Sequence, residues 1–200
     1  MRLAAHLLSW NADVNDDSQI IQRVLAGERS AFGLLVSRYQ DRLYNTLFHV
    51  VGSAEDARDL VQDAFVQALV KLDTFRGTSA FYTWLYRIAF NQAMSLKRRE
   101  KPVESIEFAR QQVGREPIDG SDRPDEPMMR QERVDLVRSA LAALGEEHRT
   151  ILVLREIDGC CYETISEILN LPIGTVRSRL HRARTQLRDE LKEVLQEELG

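Results

Sequence analysis

The chain has 200 residues, of which 44% are hydrophobic and 29% are charged, and its formal net charge is -4. This composition is typical of folded proteins with a packed core and excludes a chain that is disordered throughout. Nucleic-acid binding depends on local basic patches rather than on total charge, so a slightly acidic chain can still bind DNA or RNA.

The two cysteines, Cys160 and Cys161, are neighbours in the sequence, so they cannot form an ordinary disulfide staple. No Cys or His spacing resembles a zinc site, and we expect no metal and no cofactor. The opening residues lack a signal-peptide pattern, and no apolar run is long enough to span a membrane. These features favour a cytoplasmic protein with no membrane insertion and an amino-terminal extension over residues 1–16.

Apolar residues recur at three- and four-residue steps through the first hundred residues, and this period predicts helices. Gly52 is placed to end one of them, and Ser53 followed by Asp56 resembles a capping box at the start of the next. A glycine-containing turn then leads to a further helix, expected over residues 82–97. No segment alternates as a strand would, so residues 17–101 predict an all-α domain.

The helical period is lost between residues 102 and 127, where four prolines and many acidic residues occur. Such a composition predicts a flexible acidic linker. The period returns in residues 128–200 and predicts a second small helical domain. The expected fold is therefore all-α, with two small helical domains joined by the linker.

The segment CYETISEILNLPIGTVRSRLHRARTQL predicts a helix, a short turn and a second helix. Val176 and Leu180 define the inward side of the second helix, so its polar and basic residues share the outer side. Several of these are suitable for contacting guanine edges and phosphates in a major groove. The candidate contacts are Thr175, Arg177, Ser178, His181, Arg182 and Arg184. For His181 the sequence leaves open whether the ring contacts DNA or is simply exposed.

The segment FRGTSAFYTWLYRIAFNQAMSLKRRE, residues 75–100, contains six of the fourteen aromatic residues and ends in a basic run. Aromatic faces can stack on bases that leave the duplex, and each stacked base contributes about 1–3 kcal/mol, which offsets an opening cost of a few kcal/mol. Trp84 is expected to support the core. The candidates for holding an extruded base are Phe75, Arg76, Thr78, Ser79 and Phe81, and Asn91 is a candidate for reading a base edge.

Two long segments of the chain are DARDLVQDAFVQALVKLDTFRGTSAFYTWLYRIAFNQA and, after the linker, LREIDGCCYETISEILNLPIGTVRSRLHRAR. Together they resemble a bacterial RNA polymerase sigma factor of the extracytoplasmic-function group. The resemblance spans roughly residues 17–190. It implies a sigma region 2 helical bundle in the first domain, a sigma region 4 helix-turn-helix in the second, and a role in transcription initiation.

The resemblance also implies a role for each set of residues. Asp59, Gln62, Asp63 and Gln67 would bind core RNA polymerase. The loop from Phe75 to Phe81 together with Asn91 would open and read the minus-10 element, and Lys97, Arg98 and Arg99 would hold the DNA backbone. The second helix of the helix-turn-helix would read the minus-35 duplex. An anti-sigma factor is a further expected partner.

Two other functions remain as alternatives. A free-standing helix-turn-helix regulator with a sensing amino-terminal domain would bind duplex DNA tightly without polymerase. An enzyme acting on nucleic acid is disfavoured, because the sequence offers no metal-ligand cluster, no nucleophile with a base, and no phosphate-binding glycine loop.

Overall fold

The protein is described here by a computed structural model that covers residues 16–100, 134 and 136–198. Within these ranges the regular structure is helical and contains no strand, as the sequence predicts. The amino-terminal lobe has α1 (16–25), α2 (Phe32–Val51), α3 (Ala54–Val70) and α4 (Phe81–Glu100). The carboxy-terminal lobe has α5 (136–143), α6 (Glu146–Leu152), α7 (Tyr162–Leu169) and α8 (Ile173–Glu198). The predicted linker and nearly all of the predicted extension lie outside the described residues.

The connection between α2 and α3 has the capping chemistry that the sequence predicts. Gly52 adopts a left-handed conformation with φ of 81°, and its N–H donates to the carbonyl of Phe48 at 2.8 Å. The Ser53 hydroxyl then accepts a hydrogen bond from the backbone N–H of Asp56 at 3.2 Å. Glycine tolerates the left-handed conformation and serine satisfies a free helix donor, so the chain reverses within two residues.

The core of the amino-terminal lobe is formed by α4 packed against α2 and α3. Leu35, Leu43 and Leu47 of α2 are fully buried, as are Leu85 and Ala89 of α4. The helix α1 is tied to α2 by polar contacts. The carboxylate of its residue Asp17 accepts hydrogen bonds from Arg38 and from the Tyr39 hydroxyl, both at 2.5 Å.

The carboxy-terminal lobe is built around α8, which packs against α6 and α7. Val176, Leu180 and Ala183 form the buried side of α8, and Ile151 and Ile165 meet them from the two other helices. Between α6 and α7 the chain forms a π-helical turn, Val153–Ile157. The helix α6 begins at Glu146, with two acidic residues in its first turn.

The two lobes pack directly on each other. The helix α4 contacts α7, and α2 contacts both α6 and the π-helical turn. Buried residues from both lobes belong to one continuous hydrophobic cluster. The sequence predicted two domains with a linker between them but gave no sign of this contact.

Some apolar residues lie outside the core that the helical period suggested. Leu25 is 53% exposed and Leu69 is 38% exposed, and in the carboxy-terminal lobe Val134 and Val137 are also exposed. The period identifies the apolar side of each helix but not which edge of that side is covered by a neighbour. Cys161 is likewise exposed, at the start of α7, whereas Cys160 is fully buried.

The cap at Ser53 can be tested by Ser53→Ala. We expect the free energy of unfolding to fall by about 1 kcal/mol, because the N–H of Asp56 loses its acceptor. Ser95→Ala is the matched control, since Ser95 is exposed in the middle of α4 and alanine is the better helix former there. Urea unfolding of both variants measures the difference; equal stabilities of the two would contradict the capping role.

Candidate nucleic-acid interface

The turn between α7 and α8 is fixed by its own hydrogen bonds. Asn170 ends α7 in a left-handed conformation with φ of 52°, and the N–H of Leu171 donates to the carbonyl of Ser166 at 3.0 Å. The Pro172 carbonyl accepts from the N–H groups of Thr175 and Val176 at 2.8 and 3.0 Å. The local sequence therefore defines the angle at which α8 leaves the turn, and with it the direction of the side chains on its first turns.

The outer side of α8 carries the predicted minus-35 contacts. Arg177, Ser178, His181, Arg182 and Arg184 are exposed, and Thr175 is half-buried at the first turn. The structure thus brings this set together on one accessible helix face. His181 is exposed, which leaves both of its possible roles open.

Two residues on this face have partners within the lobe. Arg184 donates to Glu156 Oε1 through Nε at 3.0 Å and Nη2 at 2.6 Å, and this pairing raises the pKa of Arg184. Ser178 Oγ donates to the Thr175 carbonyl at 3.1 Å. DNA binding by Arg184 would therefore compete with an existing ion pair, which makes it the weaker candidate beside Arg177 and Arg182.

The loop before α4 keeps part of the predicted minus-10 set accessible. Gly77 has φ of 68° and lets the loop turn, while Arg76 and Thr78 are exposed and Ser79 is half-buried. The Phe75 ring is half-buried and rests on Trp84, with ring centroids 5.3 Å apart. The loop therefore presents a cation, a hydroxyl and one supported ring at the surface.

Phe81 departs from the sequence-based prediction. Its ring is only 2% exposed and lies edge-on to Phe32 and Phe75, with centroid distances of 6.5 and 5.9 Å. It begins α4 and packs inward, so it supports the loop from below and does not offer a face to a base. Sequence spacing beside the glycine turn could not distinguish an exposed ring from one that anchors the turn.

Asn91 lies in a cleft between α3 and α4. The side chain is exposed, and the cleft has a volume of about 470 Å³. Asp63, Gln67 and Lys71 line the same cleft from α3. None of its described lining residues comes from the loop before α4, so the loop and Asn91 are two separate parts of the predicted minus-10 surface. Lys97, Arg98 and Arg99 are in the last turn of α4, and their side chains lie outside the described part of the chain.

The outer face of α3 contains the predicted polymerase-binding residues and two residues that sequence reasoning missed. Asp59, Gln62, Asp63 and Gln67 are all exposed. At helical spacing, Val66 and Val70 fall between them, and these side chains are 56% and 74% exposed. An apolar centre with a polar rim is typical of protein interfaces. The sequence did contain a signal for these two residues, because both valines fall on a helix face whose other residues are charged or polar.

The described residues contain no cluster of His, Cys, Asp or Glu that could hold a metal ion. Among the same residues, none of the helices has the length and apolarity needed to span a bilayer.

These features define a class: an all-helical protein with a helix-turn-helix in one lobe and a second lobe whose exposed loop and cleft carry polar and aromatic groups. Comparison with known proteins identifies the family. Residues 35–103 match the family described as Sigma-70 region 2, and residues 135–187 match the one described as Sigma-70, region 4. The chain belongs to the sigma-70 family of RNA polymerase sigma factors, in its extracytoplasmic-function group.

Similar curated proteins cover nearly the full chain. The RNA polymerase sigma-H factor of Pseudomonas aeruginosa is 39% identical over 186 residues, which cover 90% of this chain and 96% of that protein. The ECF RNA polymerase sigma-E factor of Escherichia coli strain K12 is 39% identical over 185 residues, with 90% and 96% covered.

Two solved structures resemble the fold at a TM-score of 0.63. CnrH in complex with the cytosolic domain of CnrY is 27% identical and covers 87% of this chain and 96% of that one. The sigma factor RpoE in complex with the anti-sigma factor NepR from Bartonella quintana is 25% identical and covers 80% and 96%.

Phe81→Ala separates the structural role of this ring from a role in base contact. We expect it to lower the free energy of unfolding by about 3–5 kcal/mol, because a buried ring is removed from a packed cluster. Arg76→Ala in the exposed part of the same loop should change stability by less than about 0.5 kcal/mol. Denaturant unfolding checks both values, and a Phe81→Ala protein as stable as the parent would restore the exposed-ring interpretation.

Proposed function

We propose that this sigma factor directs core RNA polymerase to promoters by reading two elements with two separate surfaces. The carboxy-terminal lobe reads the minus-35 duplex through α8, and the amino-terminal lobe opens and reads the minus-10 element through the loop before α4 and Asn91. The observation that carries the proposal is that a helix-turn-helix with an exposed arginine face occurs beside a lobe whose exposed loop and cleft offer base-binding chemistry.

The chemistry of α8 suits a major groove. Arg177 and Arg182 lie five residues apart on the exposed side near the start of the helix. An arginine can donate two hydrogen bonds to the O6 and N7 atoms of guanine, which discriminates against other bases by about 1–3 kcal/mol. Ser178 is placed to contact a base edge or a phosphate. Their shared face supports direct reading of duplex sequence.

The chemistry of the amino-terminal lobe suits bases that have left the duplex. Arg76 can hold a phosphate, Thr78 and Ser79 can donate hydrogen bonds, and the exposed edge of Phe75 can contact a base. The cleft beside Asn91 falls within the roughly 300–1,000 Å³ range of small-ligand pockets. Opening costs a few kcal/mol, and capture of two or three bases at about 1–3 kcal/mol each offsets that cost.

The outer face of α3 is the proposed docking surface for core polymerase. Val66 and Val70 supply the apolar area that removes water on docking, and the surrounding carboxylates and amides give orientation. Asp63 and Gln67 also line the cleft that contains Asn91. Polymerase docking and capture of a base therefore involve adjacent sides of the same pair of helices.

The remaining expectations belong to this proposal as well. We infer that the chain acts without catalytic activity of its own and in the cytoplasm, where core polymerase is. The two similar solved structures are of complexes, one with the cytosolic domain of CnrY and one with the anti-sigma factor NepR. We propose by analogy that an anti-sigma protein binds this chain too.

The direct test adds the purified full chain to core polymerase with a library of promoter fragments. Transcription from a subset of fragments is expected, with unpaired thymines near minus-10 revealed by permanganate only when both proteins are present. Tight duplex binding by the free chain, with neither transcription nor opening, would instead favour the free-standing regulator.

Substitutions in the two reading surfaces should have separable effects on a promoter found in that way. Arg177→Ala should weaken upstream binding by about 1–3 kcal/mol if the side chain reads guanine, and the loss should disappear when that base pair is changed. Asn91→Ala should reduce discrimination among minus-10 sequences without altering the upstream preference. Equal losses on all sequences would show that the residues contact only the backbone.

The docking surface is tested by Val66→Asp, which places a charge at its apolar centre. We expect affinity for core polymerase to fall by at least about tenfold, since a charge at an interface centre costs more than 1.4 kcal/mol. Val137→Asp is the matched control, because Val137 is 42% exposed on the other lobe. Competition binding with labelled core enzyme measures both, and the same affinity for the two variants would refute docking through this face.

A further inference from the structure

The outer face of α3 has an apolar stripe that is left open to solvent. Val70 and Val66 are 74% and 56% exposed, and they are the two most exposed large apolar side chains among the described residues. They lie four residues apart on the side of α3 opposite the buried Ala64 and Ala68. Neighbouring apolar side chains exposed within a polar rim mark an interaction site, so this face is suited to an apolar partner.

Two acidic residues continue the same side of the helix. Asp59 and Asp63 are exposed and precede the valines at four- and three-residue steps, so the four side chains follow one line along α3. Within the described part of the chain neither acid forms an ion pair, whereas the exposed Glu28 is paired with Arg23. The outer face therefore complements a partner that is apolar and carries positive charge.

The amino-terminal extension of this chain has that composition. Residues 2–10 read RLAAHLLSW and contain one arginine, one histidine and no acidic residue. Leu3, Leu7 and Trp10 recur at four- and three-residue steps, the pattern with which an amphipathic segment binds through one side. The extension thus matches the outer face of α3 in both apolarity and charge.

The point from which the extension leaves the fold lies close to α3. Asp16 begins α1, and its carboxylate accepts a hydrogen bond from Arg38 of α2. Arg38 is six residues, or about 9 Å, along α2 from Phe32. The Phe32 ring in turn lies edge-on to the Phe65 ring of α3, with centroids 6.3 Å apart. The extension therefore starts beside the pair of helices that carries the apolar stripe.

The chain before Asp16 is long enough to cross α3. A helix with its side chains is about 10–12 Å in diameter, so the outer face of α3 lies roughly that far beyond its buried side. Nine positions separate Leu7 from Asp16, and this length of chain spans up to ~30 Å. Leu7 can therefore reach Val66 and Val70 without any change in the fold.

A contact within one chain needs only modest intrinsic affinity. A segment joined to its site by a short stretch of chain experiences an effective concentration of about 1 mM. An intrinsic Kd of about 0.1 mM then keeps the site covered about nine-tenths of the time. Two valines with two carboxylates beside them are a sufficient target for a segment of this size.

We propose that residues 2–10 bind the outer face of α3 of the same chain, with their apolar side on Val66 and Val70 and their arginine beside Asp59 and Asp63. This face is also the proposed docking surface for core polymerase, so the segment and the polymerase compete for it. The contact within the chain stands on the observations above, whereas the competition rests on the proposed function.

The first test uses the free, full-length chain and measures the exposure of Trp10. The chain has two tryptophans, so Trp84→Phe leaves Trp10 as the only one, and circular dichroism checks that this parent is folded. Docking covers the indole, which gives blue-shifted emission and weak quenching by iodide. Adding Val66→Asp should give a red shift and stronger quenching, because the apolar contact is lost. Val137→Asp, on the other lobe, should leave both unchanged.

The fluorescence has outcomes that overturn the contact. An indole with the same exposure in the parent and in the Val66→Asp protein is not docked on α3. A blue shift that grows with protein concentration would place the segment on a second copy of the chain. If Trp84→Phe fails to fold, a photoreactive amino acid at the position of Leu7 takes its place, and its crosslinks should map to α3; crosslinks only to other elements would likewise overturn the contact.

The second test measures the affinity of the otherwise unchanged chain for core polymerase. Removing residues 2–10 should tighten the apparent Kd about tenfold, because the face is then always free. Leu7→Asp should give most of the same gain. Ser9→Asp is the matched control, since it adds the same charge away from the side defined by Leu3, Leu7 and Trp10, and its effect should be much smaller.

The affinities separate the parts of the proposal. Unchanged affinity after the deletion would refute competition for the outer face. The same gain from Ser9→Asp as from Leu7→Asp would refute binding through the apolar side of the segment. If neither the parent nor the deletion variant binds core polymerase, the proposed function fails, whereas the fluorescence of Trp10 still decides whether the segment is docked.

Discussion

The structure depends on the burial of α4 from two directions. One side of this helix, with Phe81, Leu85 and Ala89, packs into the amino-terminal lobe, and Tyr82 and Tyr86 face the other lobe. Because apolar and aromatic burial is the main favourable contribution to folding, these contacts take precedence over any use of the rings in binding. Of the polar positions that remain on α4, the exposed Asn91 is the one available for a partner.

Under the proposed function, this constraint lets one ring-rich segment serve both stability and recognition. Phe81 begins the helix and lies beneath the loop, Phe75 rests on Trp84, and the exposed Arg76 and Thr78 extend beyond them. A loop supported in this way needs little reordering to bind a base, which lowers the entropic cost of binding. In the proposed function, the buried rings therefore preorganise the loop for recognition.

The sequence predicted most of the local structure, because local structure follows from short-range chemistry. The helical period, the glycine and serine at the α2–α3 turn, and the exposed arginine side of α8 all appear as predicted. It was wrong about Phe81 because burial depends on which helices surround a ring. The sequence did not indicate the ion pair between Arg42 and Asp158, which joins the two lobes. These residues are 116 positions apart, and a local helical pattern carries no information about a contact over that separation. Val66 and Val70 were missed for a related reason, because the sequence alone does not show whether a neighbouring element covers an apolar residue on a helix.

The two lobes are joined by both apolar and polar contacts. Buried residues of both lobes belong to one hydrophobic cluster, and Arg42, Thr46 and Tyr86 of the amino-terminal lobe donate hydrogen bonds to the Asp158 carboxylate of the other lobe. Arg177 and Arg182 of α8 remain exposed in this arrangement, as do residues of the loop before α4.

The most direct measurement of the central claim is site-specific photo-crosslinking in one open complex with core polymerase. A photoreactive amino acid is installed either at the position of Thr78 or at the position of Ser178, and the crosslinked DNA bases are mapped. The account predicts that the first position crosslinks to the non-template strand at minus-10 and that the second crosslinks to duplex DNA at minus-35. Crosslinks from both positions to the same stretch of duplex, or none from Thr78 to the melted strand, would contradict it.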